Sequence, residues 1–177
     1  MWLQFLHLIS YGILLGSQVF QTFFNGILAY KGLSRPFFGV HQGAIFPVYF
    51  SLQSFLPVLV ALTGAQKNQS MSPLNVLTPL YWCMTAVSTA GLINLIIFRP
   101  LTQEAVKARN QQGNGHHKLV RSPFNTKDRQ TSPIFVSREK KILDRRFMYI
   151  HATSICINIG GLLATIQYGT SLAKLLD

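Results

Sequence analysis

Residues 74–98, LNVLTPLYWCMTAVSTAGLINLIIF, are followed at Arg99 by a strongly basic stretch that continues to Arg146. The 74–98 run contains no Lys, Arg, Asp or Glu. As an α-helix it would be about 37 Å long, which exceeds the hydrocarbon thickness of a bilayer, about 30 Å. We therefore expect this run to cross a membrane and the basic stretch behind it to lie outside the bilayer.

Three more runs have the same character, and they determine the fold class. Residues 3–30, 44–63 and 147–172 also lack charged side chains other than His. Only 12% of all residues are charged, against about 25% in soluble domains. We predict an all-α, integral membrane four-helix bundle, a single domain over residues 1–177. The first run carries no basic leader and continues to residue 30, which predicts an uncleaved first span.

The long basic loop at 99–146, between helices 3 and 4, has three predicted parts. Residues 100–112 can extend the third helix, residues 113–133 have a disordered composition, and residues 137–146 lead as a helix into the fourth span. The basic cluster in the last part comprises Lys140, Lys141, Arg145 and Arg146. Near anionic headgroups each is worth about 1 kcal/mol. The cluster can serve as a topological anchor or recognise anionic lipids.

The distribution of basic residues predicts the orientation. Four crossings place both termini and residues 64–73 on one side, where the basic residues are Lys67 and Lys174. The other fourteen lie on the opposite side, in residues 31–43 and 99–146. Basic residues near membrane ends stay cytosolic, so we expect the long loop to be cytosolic and both termini lumenal. The sequon at Asn68 would then be lumenal, either as a glycosylation site or as a chance match.

Polar residues inside the runs follow helical stripes. One stripe in the first run and another in the fourth predict faces that point into the bundle. The stripes comprise His7, Tyr11, Gln18, Gln21 and Asn25, and His151, Ser154, Asn158, Thr165 and Tyr168. Because His7 is close to the lumenal edge, it is interpreted as an interfacial residue.

Counting inward from the cytosolic ends predicts two polar layers to which every helix contributes. The candidate intramembrane polar network comprises Gln18, Gln21, Asn25, Tyr49, Gln53, Ser88, Asn94, His151 and Asn158. It can be a structural hydrogen-bond network or a ligand or transport site. His151 is the one member that can change charge near neutral pH, either as a hydrogen-bonded histidine or as a proton carrier. No carboxylate lies in any run to support a proton relay.

Catalytic, cofactor and metal sites are not predicted. The sequence has no HExxH, GxSxG or phosphate-binding loop motif, and its two cysteines lack metal-ligand spacing. The net charge of +11 is not taken as evidence for nucleic-acid binding, because the basic residues flank apolar runs. We therefore expect a protein that is not an enzyme.

Several residue blocks carry a family resemblance: GLSRPFFGVHQGAIFPVYF at residues 32–50 is the most specific, and others surround Gln18, Asn94 and His151. Together these blocks resemble the transmembrane protein 205 family. The blocks touch all four spans and leave out most of the long loop, which is divergent here. The resemblance implies a small four-helix endomembrane protein, and it implies little biochemistry.

The expected function is that of a structural or adaptor component of an endomembrane. The alternative is a small-solute or lipid transport component that uses the polar centre. Expected partners are the bilayer, anionic lipids, and other membrane proteins or a second copy of the chain. The endoplasmic reticulum or another endomembrane is the expected location, with the mitochondrial outer membrane as the alternative.

Overall fold

The computed structural model describes residues 1–65, 79–108 and 133–173, and within these residues it contains helices and no strand. Two π-helical segments, Phe20–Asn25 and Asn94–Phe98, join successive helices without a break. The α-helices are α1 Trp2–Val19, α2 Gly26–Gly32, α3 Arg35–Ala65, α4 Pro79–Ile93, α5 at 99–108 and α6 Pro133–Ala173.

Four continuous helices are long and apolar enough to cross a membrane. In chain order the spans are Trp2–Gly32, Phe37–Gly64, Tyr81–Ala108 and Lys141–Ala173. They are called the first to fourth spans below. The predicted all-α, four-helix membrane fold is therefore confirmed.

The spans are arranged as a closed ring of antiparallel neighbours. Helix α3 packs against α1 and α4, α4 packs against α6, and α6 returns to α1. His7, near the start of the first span, contacts Val60, near the end of the second. The apolar core draws on all four spans: Leu14, Val60, Met84, Val87 and Tyr168. Large apolar side chains also cover the outside, as expected for helices in lipid, among them Phe23, Phe55, Trp82 and Leu163.

The predicted loop at residues 31–43 is wrong. Helix α2 ends at Gly32 and α3 begins at Arg35, so only Leu33 and Ser34 separate them. Pro36 falls in the first turn of α3, where its missing N–H costs little. Residues 37–43 contain no proline, and helix α3 begins nine residues before the apolar run at 44–63.

Two helices extend past the apolar core on the basic side of the bundle. Helix α6 has 41 residues and is therefore about 62 Å long, twice the hydrocarbon thickness. The third span continues through α5, on which Ala105 is buried. Helical continuations at 100–108 and 137–146 agree with the sequence prediction. Residues 109–112 of the predicted helix extension, residues 113–132 of the predicted disordered segment, the Asn68 sequon, Lys67 and Lys174 lie outside the described residues.

A glycine sets the distance between the second and third spans. A methyl group added at Gly91 would lie 2.8 Å from the backbone N of Ser54 and 2.9 Å from the carbonyl carbon of Gln53. Both atoms belong to the backbone of α3, so neither can move without moving the helix. Small residues permit this kind of close helix contact in membranes.

Replacing Gly91 by Ala is expected to force α3 and α4 apart and to lower the free energy of unfolding by about 1–3 kcal/mol. The measurement is thermal unfolding in detergent, followed by circular dichroism. Gly160→Ala is the matched control, because nothing lies within 4 Å of the added methyl group. It should be neutral or slightly stabilising, since Ala is the better helix former. Equal destabilisation by both variants would contradict the interpretation.

Candidate functional site

The polar interior begins with a histidine cluster at the end of the bundle that holds the N-terminus. His7 Nδ1 lies 3.1 Å from the Val60 carbonyl oxygen and 3.0 Å from Thr63 Oγ1. On its other side, Nε2 lies 3.1 Å from the hydroxyl of Tyr168. The side chain of His7, which the sequence suggests is interfacial, is buried and joins the first, second and fourth spans.

The hydrogen bonding of His7 fits a neutral ring. A carbonyl oxygen can only accept, so Nδ1–H donates to Val60, and Nε2 is left to accept from the hydroxyl of Tyr168. Thr63 has its own acceptor, the carbonyl of Leu59 at 2.7 Å. Tyr11 extends the cluster deeper, donating to the Thr165 carbonyl at 3.3 Å. The cluster therefore joins the first, second and fourth spans through hydrogen bonds between protein groups.

An asparagine triad links the third and fourth spans. Asn94 is 0% exposed, and its Nδ2 donates to Asn158 Oδ1 at 3.0 Å. Its Oδ1 accepts from Ser154 Oγ at 2.7 Å. Both ends of the buried amide therefore have partners on another helix. Spacing alone assigns Ser154 to the inward stripe, and the structure identifies it as a member of the network.

A second amide cluster connects the first and second spans. Asn25 Nδ2 donates to Gln21 Oε1 at 3.0 Å, and Asn25 Oδ1 lies 2.9 Å from His41 Nε2. Sequence reasoning misses His41, because the charged residues near it suggest a loop outside the membrane. Ser88, from the third span, donates to the carbonyl of Ser54 at 2.7 Å. These contacts again join neighbouring helices.

Three predicted network residues are buried without hydrogen-bond partners among the described residues. Gln18 and Gln53 are each 0% exposed, and neither the oxygen nor the nitrogen of either amide is paired. The hydroxyl of Tyr49 is likewise unpaired. These three side chains differ from Asn94, whose burial is similar and whose amide is paired at both ends.

His151 is not brought into any of these clusters. It is half-buried and stacks on Phe147, with ring centroids 5.5 Å apart and planes at 13°. Within residues 1–65, 79–108 and 133–173 no hydrogen bond of His151 is found. Asn94, which the sequence places in the shallower layer, pairs with Asn158, which it places in the deeper one.

The basic cluster lies in the N-terminal part of α6, at the start of the fourth span. Lys141, Arg145 and Arg146 are exposed, and Lys140 belongs to the same helix. Arg138 is exposed as well. Arg138, Lys141 and Arg145 are spaced by three and four residues, which places them on one helical face. The same spacing in the sequence could have added Arg138 to the predicted basic cluster.

Both π-helical segments adjoin polar clusters. Asn25 ends the segment Phe20–Asn25, and Asn94 begins the segment Asn94–Phe98. A π-helical turn accommodates an extra residue and therefore rotates everything that follows around the helix axis. Such turns are frequent at functional sites. Here they accompany the inward-facing Asn25 and Asn94, and the apolar pattern of the sequence carries no signal for them.

Metal binding has no support in the described part of the chain. No group of three His, Cys, Asp or Glu side chains in residues 1–65, 79–108 and 133–173 could hold an ion. Cys83 and Cys156 are both free thiols. Chemically, the interior can donate and accept hydrogen bonds between neutral groups, which suits helix association or contact with a neutral polar molecule.

Comparison with known proteins identifies a family. Residues 9–111, more than half of the chain, match the model of a domain of unknown function, DUF4149. The chain belongs to this family. The DUF4149 match covers the first span from residue 9 onward and the second and third spans, including Gln18, Gln53 and Asn94.

One curated relative matches over nearly the whole chain. The "Xanthocillin biosynthesis cluster protein D" of Aspergillus fumigatus is 29% identical over 168 residues, which cover 95% of this chain and 87% of the relative. No solved structure matches the chain. These similarities extend to all four spans without assigning an activity.

Substituting Leu for Asn94 should leave the hydroxyl of Ser154 and the amide oxygen of Asn158 without their hydrogen-bond partner. We expect the free energy of unfolding to fall by about 1–2 kcal/mol, measured as a lower midpoint of thermal unfolding in detergent. Thr89→Val is the control, because the hydroxyl of Thr89 is exposed and bonds within its own helix, to the carbonyl of Thr85. A midpoint for Asn94→Leu no lower than that of Thr89→Val would contradict a bridging role for Asn94.

Proposed function

We propose that this member of the DUF4149 family is a non-enzymatic, structural or adaptor component of an endomembrane. In this role the bundle acts by holding a defined surface in the membrane for lipids, other membrane proteins or a second copy of the chain. The lack of catalytic motifs in the sequence supports the absence of an enzymatic activity.

The asparagine triad carries this proposal. The amide of Asn94, on the third span, is fully buried. Its nitrogen donates to Asn158 and its oxygen accepts from Ser154, both on the fourth span. A polar side chain that is committed to its neighbours in this way stabilises helix association. The histidine cluster, the Asn25 cluster and the Ser88 contact add further bonds between spans, which supports a bundle built to keep its shape.

The outside of the bundle supports contact with membrane partners. Exposed apolar side chains such as Phe55 and Trp82 suit lipid tails or the apolar face of another helix. The exposed row of Arg138, Lys141 and Arg145 suits anionic headgroups, at about 1 kcal/mol per residue. We propose anionic lipids as partners of this row, with plain topological anchoring as the simpler role.

The cellular setting is proposed from similarity and from the first span. The name of the Aspergillus fumigatus relative assigns it to a biosynthesis cluster, which supports an accessory membrane component beside biosynthetic enzymes. The blocks at residues 32–50 support a kinship with the transmembrane protein 205 family and a location in the endoplasmic reticulum or another endomembrane. His7 and Gln18 belong to the interior of the bundle, which supports retention of the first span.

The orientation, with the long loop cytosolic and the termini lumenal, can be tested by labelling. In a variant with Cys83→Ala and Cys156→Ala, a single cysteine is introduced as Arg138→Cys or Trp2→Cys, both at exposed positions. In sealed microsomes a membrane-impermeant maleimide should label Arg138→Cys at once. It should label Trp2→Cys only after detergent is added. The reverse pattern would contradict the proposed orientation.

A second candidate function, small-solute or lipid transport, is favoured by one observation. Gln18 and Gln53 present unpaired amide groups in the middle of the bundle. A polar solute that passes through the bundle could form hydrogen bonds with these two amides. The amide of Asn94 is already bonded to Asn158 and Ser154.

A complementation experiment distinguishes the two functions. Cells that lack the protein are supplied with the wild type or a variant at matched expression. If the role is structural, Asn94→Leu should reduce both accumulation and cross-linked partners, and the double variant Gln18→Met with Gln53→Met should complement. If the role is transport, the double variant should accumulate normally while quantitative lipid and metabolite profiles change. Thr89→Val is the control and should complement in either case.

A further inference from the structure

The two unpaired glutamines face a common point in the bundle. A methyl group added at Gly161 would lie 2.8 Å from Gln53 Nε2 and 3.8 Å from Gln18 Nε2. The amides therefore come from the first and second spans and meet against the fourth. They are neighbours, yet neither amide is bonded to the other or to any other described group.

Leaving these amides unpaired would be costly. An amide in an apolar medium without a hydrogen bond costs several kcal/mol, and the lipid around the bundle offers no compensation. Both side chains are 0% exposed, so bulk water does not reach them. The same chain pairs both ends of the equally buried Asn94. A molecule that gives and accepts hydrogen bonds beside Gln18 and Gln53 would remove this cost.

The chemistry of the two amides defines that molecule. Each amide presents an acceptor oxygen and a donor nitrogen, and each lacks both partners. A cation would satisfy only the oxygens, and an anion only the nitrogens. The ligand must be neutral and must both donate and accept. Both amides are completely buried, with Gln53 packed closely against Gly161, and water is the smallest molecule that meets these requirements.

We propose that Gln18 and Gln53 form a buried water site at the centre of the bundle. A buried water typically makes about three hydrogen bonds, and the two amides offer both donors and acceptors to it. The unpaired hydroxyl of Tyr49 lies one helical turn from Gln53 on the same helix and provides a second hydration position on that face.

The water site lies between two paired clusters. On one side, Thr165 Oγ1 donates to the Gly161 carbonyl at 3.0 Å, and the Thr165 carbonyl accepts from Tyr11 in the histidine cluster. On the other side, Asn158 of the asparagine triad is one helical turn from Gly161. The proposed water therefore lies at a position along the bundle between the two clusters. This inference goes beyond the proposed structural role and does not depend on any partner.

The test is water-edited solid-state NMR on the full-length protein in lipid bilayers, with ¹⁵N-labelled side-chain amides. Single variants Gln18→Met and Gln53→Met, close in shape, identify the two amide signals. Magnetisation should pass from water to both glutamine amides several-fold faster than to the amide of Asn94, which has equal burial and is paired with protein groups. The transfer rates are measured on the wild-type protein, and the variants serve only to assign its signals.

Two results would overturn the water site. Transfer to Gln18 and Gln53 as slow as to Asn94 would mean that no water is bound there. Cross-peaks from the amides to the carbon-bound protons of a co-purified solute would replace water with a larger neutral ligand. Neither result bears on the structural role of Asn94, which is tested separately by its unfolding midpoint and by complementation.

Discussion

Lipid supplies no hydrogen bonds, and this constraint governs the interior of the protein. Each polar group placed in the hydrocarbon must find its partner within the bundle. The helical interfaces accordingly carry hydrogen bonds between spans in addition to apolar contacts. His7 joins the first span to the second and the fourth, Ser88 joins the third to the second, and Asn94 joins the third to the fourth. Apolar packing alone would not select between these neighbours, because lipid tails are equally apolar.

Small residues and polar residues act together in this arrangement. Gly91 lets α3 and α4 approach until backbone atoms meet, and the Ser88 hydroxyl one turn earlier reaches the Ser54 carbonyl across the same interface. Gly161 similarly makes room for the Gln53 amide. Close approach shortens the reach that each polar side chain needs, so short side chains such as Ser suffice to bridge two helices.

The sequence predicts the spans and the inward stripes well because both follow from composition and helical period. Gln18, Asn25 and Asn94 all emerge as candidates from the polar pattern alone, and all three are buried. Pairing cannot be predicted in the same way. Depth counting assumes straight α-helices with a uniform rise, and the π-helical segments that contain Asn25 and Asn94 break that assumption. Helix α3 begins early, at Arg35, and this start brings His41 to Asn25. The sequence prediction misses it because that prediction uses charged residues to locate the membrane edge.

The contact between His7 and Tyr168 has a consequence for biogenesis. These residues are 161 positions apart in the chain, so the first span enters the membrane long before its partner is translated. Before then the imidazole can bond to Val60 and Thr63 of the second span, so the first two spans can pair as a hairpin before the fourth span closes the ring. In a chain that stops before residue 168, Nε2 of His7 lacks its native donor, the hydroxyl of Tyr168. The unpaired imidazole nitrogen is then a polar feature by which a quality-control system can recognise an incomplete protein.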